Sequence, residues 1–260
     1  MQEWTAIILA GQRPGENAFA ASHNVAAKAL IPVAGEPMLG RVATTLLRCP
    51  EIGRILVLAQ EPDALLQGAL AWMAAEPRIA TARAGDGIST SIAAVAGTDA
   101  APWPALVVTA DHALLTPGMV AEFIAEAGGN DAAVALVERR VVEAAYPETR
   151  RTWLRFSDGD YSGANLFVLG GPAAHKALAL WARVEKDRKK AVRLLFYFGP
   201  MLALRAITRT ISLDAAVAKV ARRVGLSVKP VRLSIAEAAI DVDKPADLAL
   251  VERILAARRA

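Results

Sequence analysis

Apolar residues fall in two patterns along the first half of the chain, and each pattern predicts a different element. Short continuous runs read as buried strands: Ala6–Leu9, Arg54–Ala59, Arg78–Arg83 and Ala105–Thr109. Between them, apolar positions recur at helical spacing over Met38–Arg48, Ala64–Ala75 and Ser89–Ala96. Pro117 suits the first position of a helix through Glu126. A long polar loop is expected from the first strand to Ala27. Ala132–Val137 and Asn165–Leu169 read as further strands, with a polar excursion from Glu138 to Gly163 between them. Pro172–Val224 reads as mostly helical, Val228–Leu233 as a return to the sheet, and Pro245–Ala257 as a closing helix. Continuous apolar strands separated by helices imply an α/β fold. Its sheet is mainly parallel and Rossmann-like, with helices on both faces. No repeat and no strong linker divides the 260 residues, so one domain is expected, with a helical insertion at about 172–226.

Composition narrows the class. Charged residues make up 22%, an ordinary globular share, so wholesale disorder is not expected. The single cysteine, Cys49, excludes a disulfide framework and suits a reducing compartment. The start of the chain lacks a basic region and carries Glu3, unlike a signal peptide, and no run has the length of a membrane span. A cytoplasmic protein is expected, at most peripheral to the inner face of a membrane. From Arg183 to Arg232, thirteen Lys or Arg face three acids, a local charge of +10 in a chain of net +4. Such a window suits an anionic partner, or simply a solvated helical surface. Aromatic residues are too sparse among these charges for a nucleic-acid-binding sheet. His23, His112 and His175 lack zinc-ligand spacing, and no G-x-S-x-G elbow is present.

Chemistry-bearing residues concentrate after the strands. The first strand runs into Leu9-Ala10-Gly11-Gln12-Arg13, and Lys28 precedes Leu30, Val33, Gly35, Pro37, Met38 and Leu39. Loops at the carboxyl ends of parallel strands bind ligands. Small residues there let backbone approach phosphate, and Arg13 and Lys28 supply neutralising charge. Neither the P-loop nor the G-x-G-x-x-G fingerprint occurs. Asp111, just beyond the fourth strand, is placed to reach a divalent cation; a turn or capping role is the alternative. His112 reads as a turn residue. Near the end, Ile240-Asp241-Val242-Asp243-Lys244-Pro245 puts Asp241 and Asp243 on one side of an extended segment. Asp247 falls in the first turn of the following helix, where it complements the dipole. Arg83-Ala-Gly85-Asp-Gly87-Ile-Ser89-Thr-Ser91 leads from the third strand into a helix, with Ser89 a candidate cap.

In order and spacing these segments resemble the MobA-like nucleotidyltransferases, the family of molybdenum-cofactor guanylyltransferase and its sugar- and alcohol-phosphate relatives. The family opens on strand–Leu-Ala-Gly-Gly, an Arg and a Lys, then Leu–x–x–Leu/Val–x–Gly–x–Pro–Leu/Met–Leu. Here the loop after Gly11 is longer, and Gln12 stands at the second Gly. The resemblance implies a GT-A type fold that binds a nucleoside triphosphate through Leu9, Ala10, Gly11, Gln12, Arg13, Lys28, Gly85, Ser91 and Asp111. Lys28, Arg13 and Asp111 would be catalytic, and Asp111, Asp243 and then Asp241 would hold Mg2+ or Mn2+. Gly163-Ala-Asn165 would line the acceptor side. The implied reaction moves a nucleotidyl group onto a phosphorylated small-molecule or lipid-like acceptor and releases pyrophosphate. A sugar-nucleotide glycosyltransferase of related fold, a non-catalytic nucleotide-binding module and a structural partner at a membrane are the other readings. Peripheral membrane contact through 186–209 is a further expectation. There Lys186, Arg188, Lys189, Lys190 and Arg193 precede the apolar run Leu194–Leu204, and Arg205 and Arg209 follow. A core helix pair with snorkelling charges is the alternative.

Overall fold

The computed structural model describes residues 3–12, 17–185 and 200–259. Its strands are β1 (Trp4–Leu9), β2 (Pro32–Val33), β3 (Glu36–Pro37), β4 (Ile52–Ala59), β5 (Ile79–Arg83), β6 (Ala105–Thr109), β7 (Ala132–Glu138), β8 (Leu154–Phe156), β9 (Gly159–Leu169) and β10 (Val228–Arg232). All but β2 and β3 form one eight-stranded sheet in the order β10-β7-β9-β6-β1-β4-β5, with β8 paired to β9. β1 runs parallel to β4 and β6, β4 to β5, and β7 to β10; β9 is antiparallel to both β6 and β7. The mainly parallel α/β sheet expected from the pattern is therefore present. Its carboxyl ends, after Leu9, Ala59, Arg83 and Thr109, open on one edge.

Described helices are α1 (Asn17–Ser22), α2 (Met38–Leu47), α3 (Pro62–Leu65), α4 (Ala71–Ala75), α5 (Ile88–Val95), α6 (Pro117–Ala127), α7 (Arg139–Ala145), α8 (His175–Glu185), α9 (Pro200–Ile207), α10 (Leu213–Val224) and α11 (Pro245–Ala257). Alternation within the strands sends Ala6, Ile8, Ile55 and Val57 to one face, where α2 and α6 cover them with Leu39, Val42, Met119 and Phe123. Ile7, Leu56, Leu58 and Val107 point to the other face, against Ile92 of α5 and Leu178 of α8. Each fully buried Ile or Leu contributes about 1.5–3 kcal/mol, which explains why both-sided strands carry unbroken apolar runs.

Three local expectations are corrected. Ala64–Ala75 is not one helix: α3 ends at Leu65, and Gly68, with φ of +56°, turns the chain through a 3-10 turn into α4. The loop to Ala27 contains α1, whose neighbourhood is anchored by the partly buried Phe19. The excursion from Glu138 to Gly163 holds α7 and the β8–β9 hairpin, so β9 begins at Gly159 rather than Asn165. Short elements of this kind carry too few apolar positions to establish a period.

Candidate active site

Three segments distant in sequence meet beyond the carboxyl ends of β1 and β6. Lys28 stands on a 3-10 turn, Lys28–Leu30, whose Ala29 is buried. Asp111 ends the turn after β6. Asp241 and Asp243 flank the buried Val242, so the alternation expected for them holds. Their convergence follows from the apolar residues beside them. Ile31, Leu114, Ile240, Val242 and Val251 share one core cluster, so each charged residue is tethered to a common apolar floor. The Val242 N–H also donates to the Asp111 carbonyl at 3.1 Å, pinning the two acidic segments together.

Charge is crowded here. Lys28 Nζ donates to Asp111 Oδ2 at 2.6 Å and also bonds Asp243 Oδ1. Burial disfavours the ammonium, but the Asp111 and Asp243 carboxylates outweigh it and hold Lys28 above the usual lysine range. Asp241 is pushed above the usual carboxylate range, first by burial and then by Asp111 and Asp243, against the opposing pull of Arg151. Arg151, nearly buried, binds Asp241 Oδ1 and reaches the Asp241 carbonyl at 3.3 Å and Asp247 Oδ1 at 3.4 Å. Asn165 Nδ2 donates to Asp241 Oδ2 at 2.8 Å. Asn165 adopts φ of +51° where β9 loses register with β7, a bulge that re-aims its side chain. Asp247 lies in the first turn of α11 as expected, and its Oδ2 also accepts from the Asp243 N–H at 3.2 Å.

Asp111, Asp241 and Asp243 each place one carboxylate oxygen within 4.8 Å of the others'. Among the described residues, Asp111 Oδ1 is buried and has no hydrogen-bond partner. An unsatisfied buried oxygen among hard donors suits a cation such as Mg2+. Both oxygens of Asp241 are engaged by Arg151 and Asn165, which leaves Asp111 and Asp243 the freer pair.

The nucleotide-side residues divide into two groups. Leu9 closes β1, and Ala10 and Gly11 follow it. A Cβ on Gly11 would stand 3.0 Å from the Gln60 amide, so a larger residue there would press on that amide. Gln60, at the end of β4, accepts from the Gln12 N–H at 2.9 Å and donates to its carbonyl at 3.1 Å. Among the described residues, Gln12 Oε1 is buried without a partner. Arg13 lies outside the described residues, as do Lys186, Arg188, Lys189, Lys190, Arg193 and most of the Leu194–Leu204 run. At β5, the Gly85 N–H donates to Ser91 Oγ at 2.8 Å, and that hydroxyl donates to the Gly87 carbonyl at 2.6 Å. Ser91 thus shapes the loop from within. Ser89 is fully buried and bonds Glu185 of α8.

Gln60, Arg151 and Glu185 are the residues that sequence reasoning passed over. Gln60 follows a parallel strand, a position from which topology alone could have nominated it. Arg151 lay in an excursion with no periodicity, and Glu185 in a helix, so neither gave a signal. His112 proves to be more than a turn residue. It is buried, and burial pushes its imidazole down to about 4 against the opposing pull of Asp111 and the Glu237 backbone.

Among solved structures, a hypothetical transferase from Thermus thermophilus is 28% identical with a TM-score of 0.76, covering 95% of this chain and all of that one. A 4-diphosphocytidyl-2C-methyl-D-erythritol synthase from Anaerococcus prevotii shares the fold at 13% identity and a TM-score of 0.61, over 98% of this chain and 96% of that one. CMP:2-keto-3-deoxy-manno-octonic acid synthetase complexed with CTP does so at 13% identity and 0.57, over 98% of this chain and all of the other. No curated protein sequence matches. With the strand-end loops, the Lys28 turn and the acidic cluster in place, the match of residues 6–195 to the MobA-like NTP transferase domain shows that the chain belongs to that family.

Proposed function

We infer that the chain is a nucleotidyltransferase that moves a nucleoside monophosphate from a nucleoside triphosphate to a phosphorylated acceptor. An acceptor phosphate oxygen attacks the α-phosphorus, the bond from that phosphorus to the bridging oxygen of the β-phosphate breaks, and pyrophosphate leaves. The observation that carries this reading is the meeting of Lys28 with Asp111 and Asp243, which lies 215 positions from Lys28 in the chain. A lysine held charged beside two carboxylates at a strand-end loop suits the cargo of a triphosphate and a divalent cation.

Phosphoryl chemistry of this class needs positioning and charge neutralisation rather than a covalent nucleophile. Asp111 and Asp243 would hold Mg2+ or Mn2+, with Asp241 behind them. The cation, when bound, neutralises phosphate oxygens as charge shifts toward the leaving pyrophosphate. Lys28 has two roles in sequence. It first balances the carboxylates, then swings its ammonium to phosphate once they are otherwise engaged. Gly11 presents backbone to the triphosphate beside Gln12, whose own N–H and carbonyl are held by Gln60, with Arg13 adding charge. Gly85 and the loop closed by Ser91 receive the base side. Asn165, beside Asp241, faces the acceptor side.

The test is pyrophosphate release measured with each of the four common triphosphates, Mg2+ and pooled phosphorylated acceptors, with and without chelator. Metal-dependent release with one triphosphate is expected. Transfer only from sugar nucleotides would move the chain to the glycosyltransferase reading, and binding without any turnover would make it a nucleotide-binding module.

A second reading concerns the acceptor. α9 exposes Met201, Leu204 and Ile207 at helical spacing, and Arg205 and Arg209 lie beside them. No helix among the described residues is long and apolar enough to cross a membrane. An amphipathic, lipid-like phosphate met at an anionic surface fits this helix. Salt-sensitive co-sedimentation with anionic vesicles is the expected result. Absence of binding at low salt, with good turnover on a small soluble acceptor, would remove it.

A further inference from the structure

Glu185, the last described residue of α8, reaches across to another helix. The carboxylate sits on the amino end of α5, where the Ile88 N–H donates to Oε1 at 2.7 Å. Ser89 donates twice to Oε2, through its N–H at 3.1 Å and its hydroxyl at 2.7 Å. The N-cap of α5 is Gly87, which has no side chain with which to cap. Glu185 therefore supplies in trans, across 97 positions of chain, what the local sequence omits.

The capped segment is not an arbitrary helix start. It continues the loop that leaves β5 on the same edge of the sheet as the Gly11 loop, where ligands of such folds bind. Ser91 closes this loop from within, through Gly85 and Gly87. Glu185 closes it from outside, and Ser89, the residue it grips, is fully buried. α8 is held along α5 by Leu178 and Trp181 packing with Ile88, Ile92 and Ala93. The carboxylate is thus delivered from a helix packed against the one it caps.

We propose that Glu185 is a positioning residue for the nucleotide: from α8 it locks the Gly85–Ser91 loop in the form that receives the triphosphate, so that α8 sets nucleotide affinity. This rests on the nucleotidyltransferase reading above. The order of effects should follow acceptor capacity. Glu185→Ala removes every bond, whereas Glu185→Gln keeps one oxygen that can accept from Ile88 or Ser89.

Two measurements on the full chain test it. Hydrogen–deuterium exchange without ligand reads the lock directly, because the Ile88 and Ser89 amides lose their acceptor. Exchange over 85–92 is expected to quicken roughly tenfold in Glu185→Ala, with Glu185→Gln between it and the wild type. Titration with CTP, GTP, ATP and UTP in turn, with Mg2+, reads the consequence. For the triphosphate that binds, Kd and KM are expected to rise about tenfold in Glu185→Ala and less in Glu185→Gln, with kcat within about twofold of wild type. Unchanged exchange overturns the lock. Faster exchange with unchanged Kd and KM overturns the proposal by reducing Glu185 to a cap, and so does a fall in kcat alone. If the wild-type chain binds none of the four triphosphates, the functional reading fails and the proposal falls with it. Binding by wild type and Glu185→Ala alike defeats the proposal alone.

Discussion

The two polar corners at the edge of the sheet are built on opposite principles. In the Gly85–Ser91 corner every polar group named above has a partner: Ser91 bridges Gly85 and Gly87, and Glu185 takes the Ile88 and Ser89 donors. Around Lys28 the accounting is left open. Among the described residues, Asp111 Oδ1, Gln12 Oε1 and Arg151 Nε are buried without partners, and three carboxylates share one cation from Lys28 and one from Arg151. Unsatisfied buried polar groups cost about 1–3 kcal/mol each, so a fold retains them where something else completes them. The first corner is closed by its own side chains, and the second carries the groups proposed above for the triphosphate and the cation.

The largest effect expected of that contrast is at Asp111. Asp111→Asn should keep the fold, because its neighbours Ala110 and Leu114 supply the packing, yet lose metal-dependent pyrophosphate release by roughly 100-fold or more. Turnover close to wild type with an intact circular dichroism spectrum would remove Asp111 from the mechanism. Next comes Arg151→Met, which strips a nearly buried cation from Asp241. Removing one partner of a buried pair costs about 3–5 kcal/mol, and about 2 kcal/mol is expected here because Asp241 keeps Asn165 and is partly open to solvent. Urea unfolding in the presence of chelator measures it. A change below about 0.5 kcal/mol, the range of neutral surface substitutions, would show that Arg151 does not hold the acidic segment.

Lys28→Ala should act on ligands more than on stability, weakening triphosphate binding about tenfold by calorimetric titration. The same variant should bind Mg2+ more tightly than wild type when no nucleotide is present, because the ammonium no longer competes for the carboxylates. Equal affinities for both ligands would leave Lys28 a structural residue.

The smallest effect is at His112. Its folded-state imidazole titrates at about 4, below the ordinary histidine value of 6.5, so the unfolded chain binds the extra proton first. The contribution of His112 is thus fully present above about pH 6.5 and is lost as pH falls toward 4. The urea midpoint of the wild type should decline more steeply across that window than that of His112→Leu. Parallel curves would mean that the burial of His112 does not penalise its charge.

The long apolar runs determined the layered α/β architecture without help from distant residues. Ala105–Thr109 and Pro245–Ala257 appear with the bounds their pattern implies, because a strand buried on both faces and a Pro-started helix are local facts. Lys28, Asp111 and the alternating Asp241 and Asp243 were legible as candidates from their places at strand ends and on an extended segment, and from the order and spacing in which they resemble the family. Which of them touch was decided only by the tertiary structure. So were the engagement of Asp241 by Arg151, 90 positions away, the bracing of Gln12 by Gln60 at 48, and the capping of α5 by Glu185 at 97. A hydrogen bond between side chains on different elements leaves no period in the sequence, and a single Arg or Glu on a polar stretch looks like any solvated charge. Burial patterns repeat along the chain and can be read from it, whereas polar pairings across the sheet edge exist only once the strands have brought their ends together.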